Sequence, residues 1–166
     1  MATPHLIPSP HRLTALSRLT LVMLLAAALS ALFTISPARA ADGRITGLAG
    51  KCVDVAGANT ANGTAVQLYD CNGSAAQQWT VGSDGTIRAL GKCLDVNAGG
   101  TADGTKVQLY DCNGSAAQQW AVSSANDIVN PQANKCLDVT GNTSANGTPL
   151  QIWTCSGGAN QKWTVG

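Results

Sequence analysis

Three times along the chain the same residue types recur in the same order: a carboxylate, a glutamine, a flat ring, an asparagine and a second glutamine. The first set is Asp54, Gln67, Tyr69, Asn72 and Gln77, and the second is Asp95, Gln108, Tyr110, Asn113 and Gln118. The third is Asp138, Gln151, Trp153, Asn160 and Gln161. Such a set suits a neutral sugar. A carboxylate accepts from two neighbouring hydroxyls, a side-chain amide both donates and accepts, and a ring meets the apolar C–H face. Taken singly, an Asp after a strand cysteine is a turn or capping residue, and a Tyr is half-buried packing. Threefold repetition weighs against that plainer reading, although duplicated structural residues would repeat too.

The same inventory speaks against catalysis. From residue 41 onward there is no His and no Glu, so nucleophilic triads and metal hydrolysis lack their parts. A pair of carboxylates could still hydrolyse a glycoside, but Asp54, Asp95 and Asp138 fall one to a repeat and are expected in separate sites. Neither an enzymatic activity nor a cofactor is expected. A metal site is not expected either, since there is no C-x-x-C pair and no His beyond residue 11.

The elements that must position these residues are themselves repeated. Val66 to Trp79 (VQLYDCNGSAAQQW) returns almost unchanged forty-one residues later as Val107 to Trp120, and a diverged copy, Leu150 to Trp163 (LQIWTCSGGANQKW), follows. Each copy is preceded by Lys-Cys-(Val/Leu)-Asp-Val, beginning at Lys51, Lys92 and Lys135. Three units, about 44–82, 86–123 and 127–166, therefore fill the chain beyond residue 41. The six cysteines, 52, 71, 93, 112, 136 and 155, fall two to a unit and nineteen residues apart in each. Six cysteines allow fifteen pairings. Equivalent units should make equivalent bonds, so Cys52–Cys71, Cys93–Cys112 and Cys136–Cys155 is the simplest set.

Residues 1–40 read as a secretory signal peptide. His5, His11, Arg12 and Arg18 precede an apolar run from Leu19 to Ile35, and Ala38-Arg39-Ala40 suits a signal peptidase. The run is seventeen residues, interrupted by Thr20, Ser30 and Thr34, where a spanning helix needs about 20. A secreted domain over 41–166 is expected, in an oxidising compartment that allows disulfides. From residue 41 there are seven Lys/Arg and nine Asp, a net of 7 − 9 = −2. A weakly acidic domain without basic runs suits neither nucleic acid nor an anionic membrane. A monomer is expected.

Beyond Arg44, runs of four to six residues rich in Val, Ile, Thr, Leu and aromatics alternate with Gly, Asn, Asp and Ser, without helical periodicity. This predicts an all-β chain of twelve strands. In the first unit they are 44–48, 51–55, 65–70 and 78–81; in the second, 86–90, 92–96, 106–111 and 119–122; in the third, 127–130, 135–139, 149–154 and 162–165. Asn62-Gly63, Asp103-Gly104 and Asn146-Gly147 mark a tight turn into the third strand of each unit, with the positive φ such turns require. Three units are too few for a propeller and suit a β-trefoil with a pseudo-threefold axis. Trp79, Trp120 and Trp163 are then equivalent core residues.

Cys-x-Asp, Gln-x-aromatic and Gln-x-Trp, three times over, resemble the ricin B-chain type β-trefoil lectins, also known as family-13 carbohydrate-binding modules. The resemblance spans the chain from residue 41. It implies that the Asp grips vicinal hydroxyls, that Tyr69, Tyr110 or Trp153 stacks on the sugar, and that Gln77, Gln118 or Gln161 steadies the Asp and reaches toward the ligand. It also implies galactosides or xylan and arabinoxylan as partners. This chain departs from the pattern in two places. Ala76 and Ala117 stand where such lectins often have Asn, which only Asn160 keeps. Asn72 and Asn113 follow the second cysteine, where xylan-binding relatives carry a polar contact residue, and Ser156 replaces them in the third unit. The alternative is a trefoil that binds protein, such as a protease inhibitor. It would show a long loop breaking the repeat, whereas the largest insertion is a two-residue excess between Cys93 and Cys136.

Overall fold

The computed structural model describes residues 41–166, so the expected signal peptide, residues 1–40, lies outside the described residues. The domain is all-β, with short 3₁₀ turns between strands. The first unit contributes β1 (Ala41–Gly43), β2 (Ile45–Thr46), β3 (Cys52–Val55), β4 (Thr64–Tyr69) and β5 (Trp79–Val81). The second contributes β6 (Ile87–Ala89), β7 (Lys92–Val96), β8 (Val107–Tyr110) and β9 (Ala121–Val122). The third contributes β10 (Ile128–Asn130), β11 (Lys135–Val139), β12 (Thr148–Trp153) and β13 (Thr164–Val165). All twelve expected strands are present: β7 and β11 match their expected bounds, β4 and β12 are shifted one residue earlier, the others are trimmed at one or both ends, and β1 is additional. Ala-Asp-Gly has little β propensity, and this segment becomes a strand because its backbone pairs with β5, Gly43 opposite Trp79.

Closure is threefold. The fourth strand of each unit pairs with the first of the next: β5 with β6, β9 with β10, and β13 back to β2. At the centre the third strands meet: β4 pairs with both β8 and β12, and a bridge from Lys106 to Gln151 joins the remaining two. No unit completes its own sheet, which is the logic of a β-trefoil.

Strand alternation sorts core from surface. Val53, Val55, Val66 and Leu68 point into a core shared with Leu94, Val96, Leu109, Leu137, Val139, Leu150 and Ile152. Between them, Asp54, Gln67 and Tyr69 lie on the outer face of β3 and β4, with Asp54 directly opposite Gln67. The other units place Asp95 opposite Gln108 and Asp138 opposite Gln151.

Trp79, Trp120 and Trp163 are buried, as expected of core residues. Each indole N–H donates to the carbonyl of the residue before the site Asp: Val53 at 2.9 Å, Leu94 at 3.0 Å and Leu137 at 3.0 Å. The core tryptophan thus fixes the strand that carries the carboxylate. Gly47 illustrates how tightly the ring is packed, because a Cβ there would sit 2.5 Å from the Trp163 ring.

The three disulfides are Cys52–Cys71, Cys93–Cys112 and Cys136–Cys155, each with Cα atoms 5.1 Å apart. The tight turns also occur, with one refinement. Thr64, Thr105 and Thr148 donate their backbone N–H groups to Ala61, Ala102 and Ala145, closing four-residue turns. The positive φ falls on Gly63, Gly104 and Gly147 alone, as in a type II turn, and not on the preceding Asn or Asp.

Candidate functional site

Each unit builds one carboxylate hub beneath an exposed ring. In the first, Asp54 Oδ1 accepts from Gln67 Nε2 at 2.9 Å and Oδ2 from Gln77 Nε2 at 3.0 Å. The second matches it: Gln108 reaches Asp95 Oδ1 at 2.9 Å and Gln118 reaches Oδ2 at 3.0 Å. In the third, Gln151 and Gln161 bond Asp138 at 3.0 and 2.9 Å. A carboxylate offers about four lone-pair positions, so Asp54 and Asp95 keep roughly two for a ligand.

Gln77, Gln118 and Gln161 are fully buried and sit under the hub without lining any of the three cavities. The same Nε2 of Gln77 donates to the Asp70 carbonyl, while its Oε1 accepts from the Asn72 backbone N–H at 2.8 Å. Gln118 and Gln161 repeat this with Asp111 and Asn113, and with Thr154 and Ser156. These glutamines pin the Asp to the loop after the second cysteine. The expectation that they also reach toward the ligand does not match their burial. They are placed as positioning residues.

Asn72 and Asn113 do line their cavities. Each Oδ1 accepts from the backbone N–H two residues on, Ser74 and Ser115, at 2.9 Å. That turn leads into the 3₁₀ segments Ala75–Gln77 and Ala116–Gln118, and it leaves each Nδ2 as a donor at the cavity. The third unit solves the problem differently. Asn160 Nδ2 donates to Asp138 Oδ2 at 2.7 Å, so that oxygen serves two protein donors, while Ser156 Oγ bonds Gln161. Site three therefore presents a more saturated carboxylate and the larger Trp153 ring.

The rings are the clearest surface signal. Of the four large hydrophobic side chains exposed among the described residues, three are Tyr69 (37%), Tyr110 (36%) and Trp153 (43%). Each lines the cavity above its own hub. The 3₁₀ segment that follows each Asp strand forms another part of each wall, through Gly57 and Ala58, Ala98 and Gly99, and Gly141 and Asn142. Sequence reasoning passed over these residues. Their signal was their fixed place three and four residues beyond each Asp. Neighbouring units reach each site as well, for a Cβ on Gly63 would lie 3.8 Å from Gln108 Oε1, and one on Gly104 3.7 Å from the Trp153 ring.

Residues 41–163 match the family model for the ricin-type beta-trefoil lectin domain. A seed lectin of Trichosanthes anguina is 51% identical over 47 residues, 28% of this chain and 9% of that protein. A glucan endo-1,3-beta-glucosidase of Cellulosimicrobium cellulans is 56% identical over 39 residues, 24% of this chain and 7% of the enzyme. Among solved structures, a non-toxic homologue of type II RIPs from Momordica charantia, in complex with alpha-methyl-D-galactoside, superposes with a TM-score of 0.71. It is 35% identical, over 77% of this chain and 48% of that one. The chain covers less than half the length of these relatives. With the family model matching most of the chain, and with a carboxylate hub repeated in each of the three units, this protein belongs to the ricin-type β-trefoil lectin family.

Proposed function

We propose that the chain is a secreted, non-catalytic sugar-binding module that holds galactose- or xylose-type units of a glycan or polysaccharide at three shallow sites. The observation that carries this reading is the repeated hub: a carboxylate held by two amides beneath an exposed ring, with roughly two lone-pair positions left at Asp54 and Asp95 and fewer at Asp138, which Asn160 also bonds. Vicinal hydroxyls supply donors for the carboxylate, and the C–H face of the same sugar covers the ring. The galactoside in the Momordica charantia homologue and the glucan substrate named for the Cellulosimicrobium enzyme both point to neutral carbohydrate. The Val-Gln-Leu-Tyr-Asp-Cys-Asn context at Tyr69 and Tyr110 supports xylan or arabinoxylan beside galactosides.

Each site alone binds weakly, since net hydrogen bonds of about 0.5–1.5 kcal/mol must offset the cost of association. Three sites around one axis let a polymer engage more than once, which raises avidity without new contacts. A glycan array followed by calorimetry on lactose, xylo-oligosaccharides and xylan tests the reading. Binding of neutral sugars with a stoichiometry above one supports it. Silence across the array overturns it.

A further inference from the structure

The second site is not equivalent to the others. Its cavity is about 640 Å³, roughly twice the 290 and 360 Å³ of the first and third. It is also the one that takes a wall residue from the following unit: Gln132, on the turn between β10 and β11, lines it together with Asn97. The first site has Ala56 at the place of Asn97, and the third has Thr140.

The cause lies in the two extra residues of the third unit. The turn between β6 and β7 is Leu90-Gly91, whereas the turn between β10 and β11 is Pro131-Gln132-Ala133-Asn134. The longer turn is tied down by Asn130, a buried polar residue with Ala89 at its place in the second unit. Asn130 Nδ2 donates to the carbonyls of Ala116 and Gln119 at 3.1 and 3.0 Å, and its Oδ1 accepts from the Ala133 N–H at 3.0 Å. The turn is thereby bonded to the 3₁₀ segment that walls the second site. Gln132 reaches across and donates from Nε2 to the Gly99 carbonyl at 3.2 Å, which leaves its Oε1 available.

We infer that the second site is an extended one, which accommodates two consecutive sugar units where the others accommodate one. Asp95 and Tyr110 hold the first unit, Gln132 and Asn97 bind hydroxyls of the second, and Asn130 is a positioning residue for Gln132. This rests on the sugar-binding reading above. Doubled volume supplies the room, and two additional amides supply donors and acceptors suited to a neutral, hydroxylated second unit.

The test uses the full chain carrying Tyr69→Ala and Trp153→Ala, which leaves the second site as the working one. ¹⁵N-labelled protein is titrated with galactose and lactose, and with xylose and xylobiose, while the amide signals of the second unit are followed. The disaccharide of the bound pair is expected to bind at least fivefold more tightly than its monosaccharide. Gln132→Ala and Asn97→Ala are each expected to reduce that ratio about threefold or more, and Asn130→Ala to reproduce the Gln132→Ala result while the amide dispersion of a folded domain is retained. A disaccharide ratio near one, or a ratio unchanged by both Gln132→Ala and Asn97→Ala, overturns the extended site while leaving sugar binding standing. If none of the four sugars shifts a signal in this protein or in the unsubstituted chain, the sugar-binding reading fails, and the extended site fails with it.

Discussion

Asp103 and Thr154 meet at the seam between the second and third units, where the Thr154 backbone N–H donates to Asp103 Oδ1 at 2.7 Å and Lys135 pairs with the same carboxylate at 2.7 Å. The other two seams carry the carboxylate on the opposite side. Asn62 bonds Asp111 beside Lys92, and Asn146 bonds Asp70 beside Lys51. One Lys, one Asp and one neutral partner are thus kept at every seam, although the Asp has crossed from strand end to turn in the third. Asp103→Asn is expected to lower the melting temperature by removing the acid that Lys135 faces. Thr154→Asp alone is expected to lower it as well, by setting a second carboxylate beside Asp103. Together the two changes recreate the arrangement of the other seams and should recover most of the loss. Calorimetric melting of the two single variants and the double variant checks this, and additive losses would refute the coupling.

The hub glutamines are expected to matter more for folding than for contact. Gln118→Leu removes a buried amide and leaves Asp95 Oδ2, the Asp111 carbonyl and the Asn113 N–H each short of a partner. An orphaned buried group costs about 1–3 kcal/mol, so a loss of at least about 3 kcal/mol in urea unfolding is expected. Asp95→Ala has a similar liability, since it strands the amides of Gln108 and Gln118. Binding losses in aspartate variants therefore need a stability measurement beside them. A Gln118→Leu domain as stable as the parent would remove the positioning role.

Much of this was legible in the sequence because it repeats. Strand positions, disulfide pairing, the core tryptophans and the ring-plus-carboxylate sets all follow from three aligned copies. What stayed hidden has physical reasons. The Ala75–Gln77 type of 3₁₀ turn is too short to leave a periodicity, so its buried glutamine looked like a surface residue facing the ligand. β1 exists only through its partner. Gln132 and Asn130 sit where the third unit departs from the other two, and a reading that averages over repeats discards them.

A smaller strain is recorded at Ala98, which lines the second site with φ of 53° where its counterparts Gly57 and Gly141 have 62° and 67°. The left-handed region costs an L-residue about 1–2 kcal/mol, partly offset by the greater unfolded freedom of glycine. Ala98→Gly is expected to stabilise the domain by about 0.5–1 kcal/mol. Its urea midpoint should rise with the slope unchanged.

The seams also set the acid response. The Asp70, Asp103 and Asp111 carboxyls are all held below the ordinary value of 3.8, chiefly by hydrogen bonds from Lys51, Lys135 and Lys92 respectively. Asp84 is lowered by the Thr86 hydroxyl and backbone N–H. A depressed carboxylate contributes stability that is present above its unfolded value and lost as pH falls through the folded one. From residue 41 there is no His and no Glu, so stability is expected to be nearly flat between about pH 5 and 8 and to fall below about pH 4. Asp70→Asn should make the acid limb shallower. A marked loss already at pH 6 would contradict this account.

The rings give the cleanest test of how the sites combine, because Tyr69, Tyr110 and Trp153 are exposed and contribute little to the core. Removing an aromatic anchor at a binding hot spot costs about 2 kcal/mol, roughly thirtyfold at that site. On a soluble oligosaccharide, Tyr69→Ala, Tyr110→Ala and Trp153→Ala should each delete one class of binding event and leave the melting temperature within a few degrees. On insoluble polysaccharide the sites act together, so each single change should weaken retention only modestly and the triple change should abolish it. If one substitution alone removes all retention, that unit is the working site and the others are structural copies. If the triple variant is still retained, the rings are not the contact surface, and the sugar must be held elsewhere on the trefoil.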